Sequence, residues 1–233
     1  MNKKKILTAV LTLLVAGAGG IVFYYWNEDA HYVSTQDARI AANIVNVVPQ
    51  IPGKVIVWKV HEGDKVKAGQ VLGWQDTSGL AASAAINAGA LNQVGSLTVG
   101  KAEIVAPIGG EIIKSAVEPG QYVAPGQSVA VIADTGDLYV SANIEETLIN
   151  KVKPGQNVEV AIDALQGKKV LGKVDEIGKA TVSTFSILPV QSSNGNFTKV
   201  IQLVPIKIRI PGASDLGLLP GMSVEIKIHI TGN

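Results

Sequence analysis

The sequence predicts a mainly β protein: an N-terminal transmembrane helix, a β-sandwich split by a short insertion, and then a small β-barrel. Three observations carry that prediction. After residue 26 the chain runs as short segments in which apolar and polar residues alternate, such as KVIVWKV, EIIKSAV, SVAVIA, NVEVAID, VPIKIRI and SVEIKIHI. That is the period of half-buried strands. Residues 60–70 (VHEGDKVKAGQ) return as residues 117–127 (VEPGQYVAPGQ), and Gly53, Val60, Gly63 and Gly69 each reappear, at one constant offset, as Gly110, Val117, Gly120 and Gly126. Spacing this regular marks an internal repeat. Ahead of both lies Ile6–Trp26, 21 residues without a charge.

The apolar run comes first in the chain. About 20 apolar residues span a bilayer core as a helix. Lys3, Lys4 and Lys5 place the N-terminus on the cytoplasmic side, and Tyr24, Tyr25 and Trp26 suit the far interface. The competing reading is a cleaved signal peptide, with Val15–Gly20 (VAGAGG) supplying small residues. Against it, the run continues through Ile21, Val22 and Phe23, past the usual length of a signal core. In either reading everything after Asn27 lies outside the cytoplasm, and a retained run makes the chain a single-pass protein of the cell (inner) membrane. The expected segments are a basic stub at 1–5, the anchor at 6–26, a membrane-proximal stretch at 27–44, the sandwich at 45–135 with its insertion at 78–102, and the barrel at 136–233. Tyr32–Ala42 fits against either β unit on the sequence alone.

Within the β region, Pro-Gly pairs at 119–120, 125–126, 154–155 and 220–221 suit tight turns, Pro setting φ at the first central position and Gly accepting φ > 0 at the second. A smaller echo, VKPGQNVEVAI at 152–162 and LLPGMSVEIKI at 218–228, places a second β unit after the first. Helix is expected in two places only. Glu145–Lys151 (EETLINK) starts on acids and ends on Lys, as the helix dipole favours. Leu80–Val94 is rich in Ala and interrupted by Gly89.

Composition removes several function classes. The 233 residues carry 20 Lys and Arg against 19 Asp and Glu, so no global field points to nucleic acid. There is no Cys, which excludes disulfides, thiolate metal sites and Cys nucleophiles. His31, His61 and His229 stand far apart, outside any metal-ligand spacing. Glu145 and Glu146 are adjacent and would diverge by about 100° on a helix. The glycines of VAGAGG lack the Lys-Ser/Thr of a phosphate loop, and no G-x-S-x-G elbow occurs. No catalytic, cofactor-binding or metal-binding residue is expected, and no enzyme.

A strand-turn-strand half cannot bury both faces alone, whereas two facing copies can. The repeat resembles the lipoyl/biotinyl fold. In its biotin and lipoate carriers a Met-Lys-Met turn joins the halves and the Lys bears the cofactor. Here the joint reads Gly73-Trp74-Gln75-Asp76-Thr77 and runs on to Lys101, its only Lys, flanked by Gly100 and Ala102. The carrier residues are absent.

Four further stretches resemble the membrane fusion proteins, or periplasmic adaptors, of bacterial multidrug efflux pumps, in the EmrA-type branch of the HlyD-like family. They are Ser34–Ile40 (STQDARI), Val48–Gly53 (VPQIPG), Thr184–Val200 (TFSILPVQSSNGNFTKV) and Leu219–Val224 (LPGMSV). The third is the most specific. The resemblance implies an anchor, a lipoyl domain interrupted by a hairpin and a β-barrel domain, in that order. It also implies a transport role through homo-oligomeric assembly beside an inner-membrane exporter of major-facilitator type. It departs at the hairpin: if each arm took half of the 25 residues from Thr77 to Lys101, it would rise about 18 Å at about 1.5 Å per residue, short for reaching an outer-membrane channel.

Under this resemblance the loop Gln191, Ser192, Ser193, Asn194, Gly195 and Asn196 is expected to touch the exporter or a neighbouring adaptor, though Asn-Gly is equally a hairpin-turn signal. Ala88, Gly89, Ala90, Leu91 and Asn92 are the expected distal contact. Asp64 and Gln121, at equivalent corners of the two halves, face the centre of a ring or serve only as turns of the repeat. Two rival readings are a carrier modified on Lys101 and a cell-envelope protein without a transport role.

Overall fold

In a computed structural model, residues 13, 14, 17, 31–76, 102–165, 167–185 and 201–230 are described. The expectations placed on 78–101, on the helix at Leu80–Val94 and on 186–200 lie outside these residues, as does most of the apolar run. Among the described residues no helix is long and apolar enough to cross a membrane. The chain divides into two units, residues 1–40 with 139–211 and 221–233, and residues 41–138 with 212–220.

The second unit is built by the repeat. Its strands are β3 (Ile44–Val47), β4 (Gly53–Trp58), β5 (Lys65–Val66), β6 (Val71–Asp76), β7 (Glu103–Val105), β8 (Gly110–Ser115), β9 (Tyr122–Val123) and β10 (Ala130–Ala133). They form two four-stranded sheets, ordered β3-β10-β8-β5 and β7-β6-β4-β9. The offset of the repeat carries β4 onto β8 and β5 onto β9, so the two orders are one order applied twice. Each sheet takes strands from both halves, which makes the halves interdependent.

The core repeats the same arithmetic. Val47 and Ile104, Val55 and Ile112, Val60 and Val117, Val66 and Val123, and Leu72 and Val129 are all buried in one apolar cluster, and the repeat's offset separates each pair. One position breaks the rule. Gln75 is 3% exposed, whereas its counterpart Ile132 is an ordinary core residue. Its Nε2 donates to the Ile51 carbonyl at 3.0 Å, but its Oε1 finds no partner.

The first unit is a seven-stranded sheet ordered β1-β15-β12-β13-β14-β11-β2. Its strands are β1 (Tyr32–Thr35), β2 (Ala38–Ala41), β11 (Tyr139–Glu145), β12 (Asn157–Ile162), β13 (Lys168–Ile177), β14 (Leu203–Arg209) and β15 (Val224–His229). The edge strands β1 and β2 are consecutive in the chain, separated by Gln36 and Asp37. On its far side β2 bonds to the residues leading into β15: the Ile40 N–H donates to the Met222 carbonyl and the Gly221 N–H to the Ile40 carbonyl, both at 2.8 Å. One bent strand therefore supplies both edges, and the sheet closes into a barrel, which leaves no open edge for stray pairing. The bend is held at Asp37, whose N–H donates to Thr35 Oγ1 at 3.1 Å and whose Oδ2 accepts from Asn143 Nδ2 at 2.8 Å.

Thus 32–41, open on the sequence, are barrel strands. The interior is β-branched, with Val140, Val158, Val160, Ile162, Ile208, Ile226 and Ile228 fully buried, as period-two alternation requires. The helix expected at Glu145–Lys151 is the single turn α1 (Glu146–Ile149).

Candidate functional site

The recurring Gly turns, four of them followed by Asp or Gln and one by Met222, have a specific local job. In each of five places the Gly N–H donates to the carbonyl of a residue on a facing segment, and that residue's N–H donates back to the carbonyl following the Gly. The partners are Gly63-Asp64 with Ile112, Gly120-Gln121 with Val55, Gly69-Gln70 with Ala106, Gly155-Gln156 with Val174, and Gly221-Met222 with Ile40, all bonds lying between 2.7 and 3.0 Å. Every facing residue is buried. The five glycines have φ between +78° and +98°, a region that a side chain resists.

Four of these turns are closed again by a side chain. Asp64 Oδ2 accepts the His61 N–H at 2.7 Å and Gln121 Oε1 the Glu118 N–H at 3.1 Å. Gln70 does the same for Lys67 at 3.0 Å and Gln156 for Lys153 at 2.8 Å. Asp64 and Gln121 are therefore brought to equivalent places, exposed, with one side-chain oxygen of each committed to its own turn.

Where the halves meet, equivalent residues touch. Trp58 Nε1 donates to Ser115 Oγ at 2.9 Å, across 57 residues of sequence, which puts this contact near the pseudo-twofold axis. Both halves also carry a bulge at the same point: the β4–β6 register skips Ile56 and the β8–β10 register skips Ile113. A bulge re-aims side chains, and here Ile56 and Ile113 are exposed, as is Val57. Beside Val57 on the neighbouring strand stands Trp74, with Lys59 Nζ 4.2 Å from its ring centroid and Glu103 Oε1 accepting from its Nε1 at 3.3 Å. Sequence reading missed this apolar and aromatic patch. The scarcity of Trp, three in the chain, was the signal available.

On the barrel exterior Glu159 accepts from Lys169 Nζ at 3.2 Å and lies 3.5 Å from His229 Nε2. The Lys169 hydrogen bond, and then the His229 one, hold its carboxyl below the ordinary value of 4.5. His229 also meets Tyr32 edge to face at 4.5 Å, so the first barrel strand is fastened to the last. Among the described residues no three His, Asp or Glu side chains gather to hold a metal. The expected contacts at Gln191–Asn196 and Ala88–Asn92, and the carrier candidate Lys101, lie outside the described residues.

Residues 43–135 match the family described as "RND MFP, barrel-sandwich hybrid domain". The chain is similar to the protein named "Putative efflux system component YhbJ" of Bacillus subtilis (strain 168), 37% identical over 230 residues, covering 98% of this chain and 94% of that one. It is also similar to "Multidrug export protein EmrA" of Escherichia coli (strain K12), 32% identical over 138 residues. That match covers 58% of this chain and only 35% of the relative, so this chain spans about a third of that protein's length. Among solved structures it resembles a MacA-MexA chimeric protein containing the Pseudomonas aeruginosa MexA α-hairpin domain, with a TM-score of 0.66, 23% identity, and coverage of 87% of this chain and 83% of that one. With a doubled sandwich, a closed barrel and a relative matched along nearly its whole length, the chain belongs to the membrane fusion protein family of efflux adaptors, in company with EmrA-type members.

Proposed function

We propose that this chain is the membrane-anchored adaptor subunit of a pump that exports drugs or other small molecules, working with a major-facilitator-type exporter and with copies of itself. The observation that carries the reading is the match along 98% of the chain to a protein named for an efflux system. Ile6–Trp26 anchors it in the inner membrane with the N-terminus cytoplasmic, and residues 27–233 are extracytoplasmic. The anchor leads to the barrel strands at 32–41, then to a lipoyl-like domain interrupted at 78–102, and the chain returns to complete the barrel after residue 138. The work is done by assembly, without catalysis or a cofactor.

In this arrangement the loop Gln191–Asn196 meets the exporter or a neighbouring adaptor, and Ala88–Asn92 makes the distal contact. The corners at Asp64 and Gln121 face the axis of a ring. Head-to-tail packing is how identical subunits close such rings. The exposed Ile56, Val57 and Ile113 give the sandwich apolar area to bury between copies. The joint at 78–102 is too short to meet an outer-membrane channel alone, so such a partner would need a further component.

Deleting the chain from its host and measuring growth against a panel of hydrophobic drugs tests the reading. Increased sensitivity, restored by the intact chain and not by one lacking residues 1–26, is expected. Unchanged sensitivity, with a chain that purifies from native membranes alone and monomeric, would refute it.

A further inference from the structure

Within the unit of residues 41–138 and 212–220 there is a cleft of about 480 Å³, inside the range of about 300–1,000 Å³ typical of small-molecule sites. Three pieces of chain form it: the β5–β8 edge at Lys65, Val66, Gly110 and Glu111, the connection Asp134–Leu138, and the segment 214–219. Its apolar part is Val66, Leu138 and Leu218, all buried, with Leu219 exposed at the lip. Glu111 and Asp134 are half-buried, whereas Lys65 is exposed on the short edge strand β5.

We propose that this cleft binds an amphipathic organic cation, with its apolar body against Leu138, Leu218 and Val66 and its charge toward Asp134 and Glu111. Among the described residues neither carboxylate has an ion-pair partner within 4.0 Å, although Lys65 pairs with Glu111 in strand register. Asp134 Oδ1 accepts the Gly136 N–H at 3.0 Å, which holds that carboxylate in place and leaves its other oxygen to a ligand.

The chemistry excludes the nearest alternatives. A hard metal ion wants six or more oxygen ligands, and no group of three acidic or His residues gathers here among the described residues. An anion would face two carboxylates against one ammonium, and that ammonium sits on a flexible, exposed stem free to swing into water. Half-burial strengthens the attraction of the carboxylates for a cation relative to bulk water. That the bound molecule is export cargo rests on the adaptor reading; the binding itself does not.

The test uses the full chain in lipid nanodiscs titrated with ethidium, its fluorescence compared with that of empty nanodiscs. Saturable binding above the empty-disc signal is expected. Asp134→Asn and Glu111→Gln, which keep side-chain shape and hydrogen-bonding capacity, should each weaken it by about fivefold, and the double variant further. Lys65→Gln, on an exposed edge and safe for folding, should tighten binding. Three results overturn the proposal: no saturable binding, wild-type affinity in the double variant with an unchanged melting temperature, or an uncharged aromatic of similar size binding as tightly. Loss of binding with exporter association intact would show the cleft's role separately from the adaptor reading.

Discussion

Gly53 and Gly110 are the repeat's own internal control. Each stands where a strand passes a carbonyl too closely for a side chain. A Cβ on Gly110 would lie 2.2 Å from the Ala133 oxygen, and one on Gly53 would lie 2.7 Å from the Asp76 oxygen. Asp76 and Ala133 are themselves counterparts in the repeat. A methyl needs roughly 3.2 Å from an oxygen, so Gly110→Ala demands a retreat of about 1 Å and Gly53→Ala about half that, both against backbone in a close-packed sandwich. Glu111 pairs with Ala133 in the β8–β10 ladder, so the carbonyl cannot withdraw without loosening those bonds. Overpacking of this kind costs about 1–3 kcal/mol and occasionally more; at Gly53 the lower entropy of an unfolded Ala chain returns about 0.4–1 kcal/mol, whereas Gly110, at φ +157°, gains nothing of that and adds backbone strain to the clash. We expect Gly53→Ala to cost about 1 kcal/mol and Gly110→Ala about 3 kcal/mol. At about 2–4 °C per kcal/mol for a chain of this size, the melting temperature falls by about 2–4 °C and about 6–12 °C. Tryptophan fluorescence is the assay, because Trp58 and Trp74 both lie in this sandwich. If Gly110→Ala melts with the wild type, or above Gly53→Ala, the close-approach reasoning is wrong.

Three smaller predictions follow. Gln75→Leu removes an unpartnered buried oxygen at the one buried polar position among the described residues, which offsets the lost bond to Ile51; stability should change by less than about 1 kcal/mol in either direction, and a loss above about 3 kcal/mol in urea unfolding would show that Oε1 is satisfied. Trp58→Phe deletes the indole N–H that reaches Ser115 and should cost about 1 kcal/mol, with Ser115→Ala adding little on top of it in a double-mutant cycle. Glu159 has its carboxyl lowered below 4.5 in the folded chain, so its contribution is present above that value and fades as pH falls through the lowered one. The melting difference between wild type and Glu159→Gln should therefore be small at pH 7, under about 1 kcal/mol as for other surface pairs, and should vanish in acid; a difference that grows as pH falls below 4.5 would reverse the sign.

How much was legible in the sequence can be judged strand by strand. The alternating runs at β4, β8, β10, β12, β14 and β15 were visible because each sets one apolar face against one polar face, and the internal repeat made the sandwich legible before any coordinate. β13 escaped notice. Its KKVLGKVDEI carries five charges and a Gly, and its register slips near Asp175, so its periodicity is interrupted although its pairing is regular. β1 and β2 were ambiguous because each is only four residues long and their shared role, closing the barrel from both edges, is a long-range property. The turn residues were recognised as punctuation, but the two-bond clamp that each Gly makes with a buried strand residue is a tertiary fact. The cleft was invisible for the same reason, its walls coming from stretches as far apart in the sequence as Lys65 and Leu219.

Assembly beside an exporter leaves a physical record in the membrane, and in-membrane crosslinking reads it. A photo-crosslinker at Ser193, in the loop expected to meet the exporter, and another at Leu91, in the joint expected to make the distal contact, should be activated in native membranes before purification. A multi-span transporter should be captured at Ser193, and adaptor or outer-component bands at Leu91. A chain recovered uncrosslinked and monomeric from both positions would leave the sandwich and barrel standing and contradict the adaptor role.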